Sequence, residues 1–581
     1  MTTKYLRIAA ALALCLALGA CGGNNKNGNV SPAPATSPSA PASPSAPATK
    51  PGVTGTSFDN WGSYGYTLAN NRHVPFKEIT ADNVGNLGVI WSVDLKSLDP
   101  DVKNGNQSYP VVVDGMIFVT TSGNQVFAFD AVTGKQIWHW KPSAEQAATF
   151  AKAGVIANRG VAVGEGKVFM LAVDNSLVAL DQKTGQLVKM IKLADYIDGV
   201  TLENGYYETT APQYYKGNVY VGSSGGDNGV RGFVAAFKAS DLTPAWDSPF
   251  WTVPPKGQDW LADSKFQGGG AVWNPPAIDE ETGIMYFSVG NPAPDFYGEK
   301  RPGDNRHTNS VVAVEAATGK LVWARQQVKH DVWDYDAGAS PMVIDATVKG
   351  KKQKLVVEGG KSGLWFAWDA ATGDPVWDGI PFAKIDHKKP TPEGVVVYPG
   401  ILGGENYAPE AYDPGTNYAL IPGIEQPSLL KAARNEDEAA TPDSPGAAAF
   451  GTTLGEAPGN IVPYGTITAM DVNTGKQAYQ IKTKDPMRGG LTGTDAGLAF
   501  FGELDGKINA MEIKSGKLLW TFQTSGDNIQ AAPSIFKVDG KSYVTFTSGG
   551  AKPMLHVFAL GGDKTQGGAG EADSGSAHAN Q

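Results

Sequence analysis

The sequence predicts an all-β fold, an eight-bladed β-propeller made of four-stranded antiparallel blades. Three observations lead to this prediction: a motif that repeats along most of the chain, a composition rich in Gly and Trp, and a strand near each end of the repeats that allows closure. The chain has 581 residues, with 72 Gly, 14 Trp and 20 Tyr. Because long helical periodicities are rare, one large all-β unit accounts for this length better than several small domains.

The repeated motif is a strand that ends in an acid, a Thr-Gly or Ser-Gly turn, and a second strand that carries Trp. Its clearest copy runs from Ala128 to Trp138. Glycine in the turn supplies the positive φ that a tight hairpin needs, and the alternating apolar residues on both sides predict antiparallel strands. Further copies occupy residues 179–189, 236–246, 314–323, 367–377, 469–479 and 510–520.

Seven copies and one closing blade predict eight blades. We expect the strand from Leu555 to Leu560 to pair with the early strand around Val89 to Ser92, because closure removes the free edges of the sheets. The repeated Trp is expected to wedge between neighbouring blades, which makes these tryptophans structural. An Ala-, Glu- and Pro-rich segment at about 425–459 predicts a mobile surface insertion.

The sequence predicts four segments: a lipoprotein signal peptide over 1–20, a Ser/Pro/Ala-rich tether over 21–57, the propeller over 58–561, and a disordered tail over 562–581. Lys4 and Arg7 precede an apolar run, and the residues from Leu18 to Gly22 resemble the lipobox of bacterial lipoproteins. This resemblance implies lipidation at Cys21. The protein is therefore expected to be exported and lipid-anchored to a bacterial membrane, facing the periplasm or the cell exterior. An ordinary signal peptide and an uncleaved anchor are the alternatives.

Charge and cysteine content exclude several function classes. The formal net charge is −10 and no cluster of Lys or Arg is visible, which argues against a nucleic-acid partner. The two cysteines, Cys15 and Cys21, both precede the predicted propeller. The propeller is therefore expected to contain no disulfide, no thiolate metal site and no Cys-x-x-Cys-His haem attachment.

Polar motifs between the predicted strands carry a resemblance to a known family. They occupy residues 268–273 (GGGAVW), 286–294 (YFSVGNPAP), 301–305 (RPGDN) and 330–336 (HDVWDYD). Together with the repeat they resemble the PQQ-dependent alcohol and methanol dehydrogenases, over roughly Phe58 to Leu560. The repeat alone is also similar to propeller lipoproteins without enzymatic activity, which assist the assembly of outer-membrane proteins.

The resemblance implies roles for individual residues. Trp273 corresponds to the floor on which the quinone stacks, and Asp334 to the general base that accepts the alcohol proton. The implied metal ligands are Asp227, Asn291, Asp334 and Asp336. The implied cofactor contacts are Arg159, Thr209, Ser224, Gly225, Gly226, Trp273, Lys361 and Asn406.

The sequence departs from the family at two points. Asp227 stands where the family has Glu, so its side chain is one methylene shorter, and either the loop moves inward or a water fills the gap. The family's ring of two adjacent cysteines has no counterpart. Asp336 adds a carboxylate that suits a hard, large ion such as a lanthanide. Relatives that use calcium or magnesium also resemble this pattern, so Ca²⁺ and a lanthanide both remain open.

The implied function is the oxidation of a small alcohol to an aldehyde or ketone with PQQ and a metal ion. Because the sequence has no haem motif, electrons are expected to leave to an external acceptor such as a cytochrome c or a quinone. Two alternatives stay open at this point: a propeller lipoprotein that acts as a binding or assembly scaffold, and a degenerate relative that binds PQQ without turnover.

Overall fold

The computed structural model describes residues 53–565, except 156, 256–257, 259, 262, 436–451, 456–458 and 527. Within these residues the chain forms eight blades, each with four antiparallel strands as the repeat predicts, and two of the blades carry a short fifth strand. The expected signal peptide, Cys21, most of the tether and most of the tail lie outside the described residues. In the described part of the chain, no helix combines the length and the apolar character needed to cross a membrane.

The strands follow one another blade by blade. Three early strands are β1 (Phe58–Asp59), β2 (His73–Val74) and β3 (Leu87–Asp94). Blade 1 contains β4 (Val111–Val113), β5 (Met116–Thr120), β6 (Val126–Asp130) and β7 (Gln136–Trp140). Blade 2 contains β8 (Ala162–Gly164), β9 (Lys167–Ala172), β10 (Ser176–Asp181) and β11 (Leu187–Lys192). Blade 3 contains β12 (Gln213–Tyr215), β13 (Asn218–Val221), β14 (Phe233–Lys238) and β15 (Phe250–Trp251).

A short strand, β16 (Gly268–Gly269), lies between blades 3 and 4 along the chain. Blade 4 contains β17 (Ala277–Asp279), β18 (Ile284–Val289), β20 (Ser310–Glu315) and β21 (Leu321–Gln326), and β19 (Pro292–Ala293) pairs with β16. Blade 5 contains β22 (Met342–Val348), β23 (Lys351–Gly359), β24 (Leu364–Asp369) and β25 (Pro375–Pro381).

Blade 6 carries an additional small sheet. The blade contains β27 (Ala411–Asp413), β28 (Tyr418–Glu425), β31 (Tyr464–Asp471) and β32 (Lys476–Thr483). The small sheet contains β26 (Val395–Val397), β29 (Ser428–Ala432) and β30 (Thr452–Gly455). Part of the segment expected to be a mobile insertion therefore forms strands β29 and β30.

Blades 7 and 8 complete the ring. Blade 7 contains β33 (Leu491–Thr494), β34 (Leu498–Gly502), β35 (Lys507–Glu512) and β36 (Leu518–Gln523). Blade 8 contains β37 (Ser534–Val538), β38 (Lys541–Ser548) and β39 (Met554–Leu560), and β3 is its fourth strand. Leu555 pairs with Val93 and Phe558 with Val89, so the predicted closure is confirmed.

Helices are short and lie in the connections. The two α-helices are α1 (Leu95–Leu98) and α2 (Ala144–Lys152) among the residues described. Ser143 caps α2, because its side chain accepts the backbone N–H of Gln146 while the Gln146 side chain accepts that of Ser143. Short 3₁₀ helices occupy Val84–Asn86, Leu193–Asp195, Gly226–Asn228 and Gly298–Lys300.

The aromatic residue of the repeat joins most blades to the next one. Trp138 of blade 1 donates its indole N–H to the carbonyl of Gln182 in blade 2, at 2.9 Å. Its ring lies on the turn glycine of that blade, because a Cβ on Gly185 would lie 2.6 Å from the indole. Gly185 also has a φ of 68°, so both the backbone and the ring require glycine. The same pairing of ring and turn glycine recurs for Trp91 and Gly134, Trp246 and Gly319, Trp323 and Gly373, Trp377 and Gly475, and Tyr479 and Gly516.

The segment before β3 closes the inner edge of the ring, a feature the sequence did not predict. Its backbone carbonyls accept N–H groups from the innermost strands of blades 1, 4, 5, 6 and 7. Arg72 in this segment is fully buried and donates to the carbonyls of Tyr64, Leu491 and Pro533. A buried guanidinium with several acceptors ties the first residues of the propeller to its last blades.

Candidate functional site

The predicted site residues lie in loops at one end of the propeller axis. These loops either lead into the innermost strand of a blade or connect its second and third strands. In antiparallel blades both kinds of loop open at the same end, so residues from distant parts of the chain meet there. Arg159, Thr209, Trp273, Asp334, Asp336 and Asn406 precede innermost strands, whereas Ser224, Gly225, Gly226, Asp227, Asn291 and Lys361 follow second strands.

Three carboxylates form the core of the site. One oxygen each from Asp227, Asp295 and Asp334 lies within 4.8 Å of the other two. Asp227 is carried by the 3₁₀ helix after β13, Asp295 follows β19, and Asp334 precedes β22. Asp295 is buried, and its Oδ1 has no hydrogen-bond partner among the described residues. Asp334 keeps 18% of its side chain exposed, so it faces the open end of the site.

Asp336 lies beside this group and is held by two other residues. One of its oxygens accepts the backbone N–H of Asn291 at 2.8 Å, and the other faces the ammonium of Lys361. Lys361 also donates to Asp334, with 3.0 Å between Nζ and Oδ1. Asp336 and Lys361 therefore link the loop of Asn291 to the loop of Asp334.

Burial and mutual repulsion or attraction shift the pKa values of several groups in this site. Burial raises the pKa of Asp227 to about 6, with a further contribution from repulsion by Asp336. Burial and then the charge of Asp227 hold the pKa of Asp295 well above its usual range, and burial does the same for the pKa of Asp334. The pKa of Lys361 is raised because the attraction of Asp334 and Asp336 outweighs the cost of its burial. Carboxylates whose charges repel one another in a buried site favour binding of a cation.

The backbone is shaped to bring these loops close together. Asp334 adopts a φ of 67°, in the left-handed region that few residues other than glycine occupy. Gly290 leaves room for the carboxylate of Asp336, because any Cβ at Gly290 would overlap the Oδ1 atom of that residue. Such strain is found where a functional geometry demands it.

A chain of hydrogen bonds lines one side of the site. The guanidinium of Arg159 donates to the hydroxyl of Thr209 at 2.6 Å, and that hydroxyl lies 3.1 Å from the hydroxyl of Ser224. Arg159 is buried, and its Nε has no hydrogen-bond partner among the described residues. Burial lowers the pKa of Arg159. A buried cation with a free donor favours an anionic ligand.

Aromatic rings surround this arginine. The guanidinium carbon of Arg159 lies 5.0 Å from the centre of the Trp273 ring and 4.9 Å from that of Tyr407. Arg488 approaches the Tyr407 ring at 5.6 Å, and its Nε also lacks a partner in the described part of the chain. Trp273 remains partly exposed, which leaves part of this indole available to a ligand.

Three further predicted cofactor contacts have definite local roles. Gly225 adopts a φ of 91° at the start of the 3₁₀ helix that carries Asp227, and Gly226 packs closely against Ala271. Asn406 donates its side-chain N–H to the carbonyl of Leu402 at 2.9 Å. All three lie at the same end of the axis as the acidic group.

An apolar wall flanks the acidic group. Phe296 directly follows Asp295 and packs with Val397 of β26 and Leu430 of β29. Trp333, which directly precedes Asp334, packs against this cluster together with Ile401. The small sheet of blade 6 therefore supplies an apolar surface next to the carboxylates.

The sequence reasoning missed two members of the site. Asp295 lies one residue beyond the motif at 286–294. An acid directly after this motif was the sequence feature that could have identified it. Arg488 lies in Arg488-Gly-Gly before β33, in a loop that corresponds to those of Arg159 and Trp273. Comparing the residues before every innermost strand would have found Arg488.

The donor set fits a metal ion and an anionic aromatic cofactor. Three carboxylates, one of which has an unpartnered buried oxygen, and the amide of Asn291 suit a hard cation. Two arginines with free donors and a partly exposed indole suit a planar molecule that carries carboxylates.

The chain is similar to several known proteins. The family model for the β-propeller domain of glucose, ethanol and alcohol dehydrogenases that use PQQ matches residues 61–381 and 380–544. The chain is 31% identical over 525 residues to the quinohemoprotein alcohol dehydrogenase ADH IIB of Pseudomonas putida, covering 84% of this chain and 73% of that protein.

Two further similarities concern the electron acceptor and the metal. The 1-butanol dehydrogenase (cytochrome c) of Thauera butanivorans is 30% identical over 530 residues, covering 84% of this chain and 74% of that protein. A solved europium-containing methanol dehydrogenase superposes with a TM-score of 0.75 at 26% identity, covering 86% of this chain and 98% of the other.

Proposed function

The chain belongs to the glucose/ethanol/alcohol dehydrogenase family of PQQ-dependent propellers, and we propose that the loops at the axial end form its active site. In this site Asp334 is the general base in the oxidation of an alcohol. The chain is an oxidoreductase of this family. Its reaction is the oxidation of an alcohol with PQQ and a metal ion, and the electrons pass to an external acceptor. The observation that carries the assignment of residues is the convergence of Asp227, Asp334 and Lys361 from three separate loops.

The metal ion would be held by Asp227, Asn291 and Asp334, with Asp336 as the fourth predicted ligand. Their oxygens come from loops of blades 3, 4 and 5, and the raised pKa of Asp227 supports a site in which a cation balances the carboxylates. Asp227 is carried by a 3₁₀ helix, and one of its oxygens lies next to those of Asp295 and Asp334, which supports its role as a ligand in spite of the shorter side chain.

PQQ would be held by Arg159, Thr209, Ser224, Gly225, Gly226, Trp273, Lys361 and Asn406. The carboxylates of the cofactor match the free donor of Arg159, and Trp273 offers an indole face. Arg488 adds a second cation, 5.6 Å from the centre of the Tyr407 ring.

When bound, the metal and the quinone supply a Lewis acid and an acceptor for the hydride of the alcohol. Asp334 would accept the proton of the alcohol hydroxyl, because it is partly exposed and Lys361 holds its carboxylate in place. Lys361 fixes the orientation of Asp334 and Asp336 and offsets part of their charge.

An alcohol with an apolar chain fits the surroundings of Asp334. Trp333 and Phe296 are the immediate neighbours of Asp334 and Asp295 along the chain, and both belong to the apolar wall. Excluding water from this side favours binding of an alkyl group. We therefore expect short alkyl alcohols to be better substrates than aldoses.

The metal is proposed to be Ca²⁺ or a lanthanide ion. The number of carboxylates supports an ion of high charge, and a similar solved methanol dehydrogenase contains europium. The external acceptor is proposed to be a cytochrome c or a quinone, since a relative is a cytochrome c-linked 1-butanol dehydrogenase.

Export and anchoring rest on the first residues of the chain. The apolar run and the lipobox-like sequence around Cys21 support a signal peptide that is cleaved before a lipidated cysteine. The protein would then sit on a bacterial membrane and face the periplasm or the exterior. Labelling with a radioactive fatty acid, compared between the wild type and Cys21→Ser, tests this proposal.

Reconstitution tests the proposed activity. Purified protein is combined with PQQ and either Ca²⁺ or La³⁺, and dye reduction is followed with ethanol, 1-butanol and glucose. We expect reduction with the alcohols and none without PQQ. Cofactor absorbance without turnover would indicate the degenerate relative, and neither absorbance nor turnover would favour the scaffold.

A further inference from the structure

Asp295 is the deepest member of the axial acidic group. The residue is 1% exposed, whereas Asp227 and Asp334 are both partly exposed. One of its oxygens lies within 4.8 Å of carboxylate oxygens of both Asp227 and Asp334. Three carboxylates this close together demand a positive charge between them or protons on them.

Neighbouring hydrogen bonds do not explain why a carboxylate stands at this position. Asp331, a buried acid nearby, accepts N–H groups from Trp333, Tyr335 and Asn309 and thus has a structural role. The Oδ1 of Asp295, in contrast, has no hydrogen-bond partner among the described residues. Arg301 donates to the backbone carbonyl of Asp295. An unpaired buried oxygen destabilises the fold unless a ligand satisfies it.

Asp336 provides a second contrast. Its two oxygens already have partners, the backbone N–H of Asn291 and the ammonium of Lys361. Of these two acids, Asp295 therefore has the oxygen without a hydrogen-bond partner among the described residues, and Asp336 positions Asn291 and Lys361.

We propose that Asp295 is a direct ligand of the metal ion, completing a set of three carboxylates with Asp227 and Asp334. This inference rests on the proposed function for the presence of a metal, and it adds a ligand that the sequence motifs did not identify. The added negative charge favours a trivalent ion over a divalent ion of similar size.

Terbium luminescence tests this role without the cofactor or turnover. The full chain, free of PQQ, is titrated with Tb³⁺, and emission sensitised by nearby aromatic residues such as Trp273 is recorded. Lifetimes in H₂O and D₂O then count the water molecules bound to the ion. The variants are Asp295→Asn and Asp295→Ala, with Glu208→Gln as a control that removes a fully buried carboxylate outside the group.

We expect Asp295→Asn to weaken Tb³⁺ binding at least about tenfold and Ca²⁺ binding less, since loss of even an indirect partner of a metal has effects of 10–100-fold. Asp295→Ala should add roughly one bound water, because a water replaces the missing oxygen. Glu208→Gln should change the affinity less than about threefold. Both Asp295 variants should fold, since each removes an unpaired charge, and circular dichroism checks this.

Wild-type affinity and an unchanged water count in both Asp295 variants would overturn the inference. An equal loss of affinity in Glu208→Gln would also overturn it, because the effect would then reflect total charge. If terbium binds through Asp295 but PQQ and alcohol produce no dye reduction, the ligand assignment stands and the proposed activity fails.

Discussion

Two groups of buried carboxylates lie in this propeller, and they differ in what balances their charge. The axial group of Asp227, Asp295 and Asp334 lies in loops, contacts the cation of Lys361 and opens towards the end of the axis. The second group, Glu358, Glu405 and Glu410, has no exposed member. The first can therefore receive an ion from solution, whereas the second cannot.

The second group surrounds the backbone of Gly359. A Cβ at Gly359 would overlap Glu405 and lie 3.0 Å from an oxygen of Glu410. Glu358 accepts a hydrogen bond from Gln327, and its other oxygen has no partner in the described residues. Burial, followed by repulsion within the group, holds the pKa of Glu405 well above its usual range, and burial raises the pKa of Glu410 to about 7. Burial thus raises the pKa of carboxylates in both groups, but, among the described residues, only in the axial group does a buried ammonium, that of Lys361, balance part of their charge.

The largest expected effect concerns turnover. Asp334→Asn should lower kcat by about 10²–10⁴-fold, because an amide cannot accept the hydroxyl proton. Dye reduction with saturating 1-butanol measures this. The matched variant Glu405→Gln removes a carboxylate from the closed group and should keep kcat within about twofold of the wild type. An equal loss of kcat in both variants would show that turnover does not depend specifically on the axial group.

Removal of the Lys361 ammonium should destabilise the protein even in the absence of PQQ and metal. Lys361→Met leaves Asp334 and Asp336 without their buried partner, and the free energy of unfolding should fall by about 3 kcal/mol. Urea unfolding at pH 7.5 measures the change. Addition of Ca²⁺ or La³⁺ should restore part of the lost stability, since an ion can take over the role of the ammonium. Unchanged stability would show that the carboxylates do not depend on Lys361.

Metal binding should stabilise the wild type through the axial group alone. At a metal concentration of 100 times Kd, the free energy of unfolding should rise by about 2.7 kcal/mol. Thermal unfolding with and without a chelator tests this. Asp227→Asn should lose most of the gain, and Glu405→Gln should retain it. Loss of the gain in Glu405→Gln would place the ion in the closed group.

The smallest expected effect is the pH dependence of the closed group. The pKa of Glu410 rises from 4.5 in the unfolded chain to about 7 in the fold, so the folded state holds its proton more tightly. The stability from this group is complete below pH 4.5 and is lost as the pH rises through 7. Between pH 5 and 8 the wild type should lose about 1–3 kcal/mol from this residue, and Glu410→Gln should lose correspondingly less. Parallel curves for the two proteins, measured by urea unfolding at several pH values, would contradict this.

Most of the fold could be predicted from the sequence because its determinants are local. A turn such as the one at Gly185 and a ring such as Trp138 recur at fixed spacing, and most blades repeat the same contact with their neighbour. The closing pair of Val89 and Phe558 followed from counting the copies. The small sheet that contains β29 was not predicted, because its partner strand β26 precedes blade 6 and no repeat marks it.

The site was predictable where a motif surrounds the residue. Asn291 and Asp334 lie in such motifs, and the structure brings their loops to the same end of the axis as the loop of Asp227. Asp295 and Arg488 lie just outside them. Their importance depends on which atoms they meet, and those atoms belong to loops of other blades.

The sequence by itself determined the number of blades, the closure and the identity of most loops at the axial end, because repeated local patterns encode them. Only the tertiary structure decided which acids share a cation and which share protons, since this depends on distances between segments far apart in the chain. Arg72 follows the same principle, because its acceptors lie in blades that the chain forms last. Electrostatic energies vary steeply with distance and burial, and neither quantity can be read from the sequence alone.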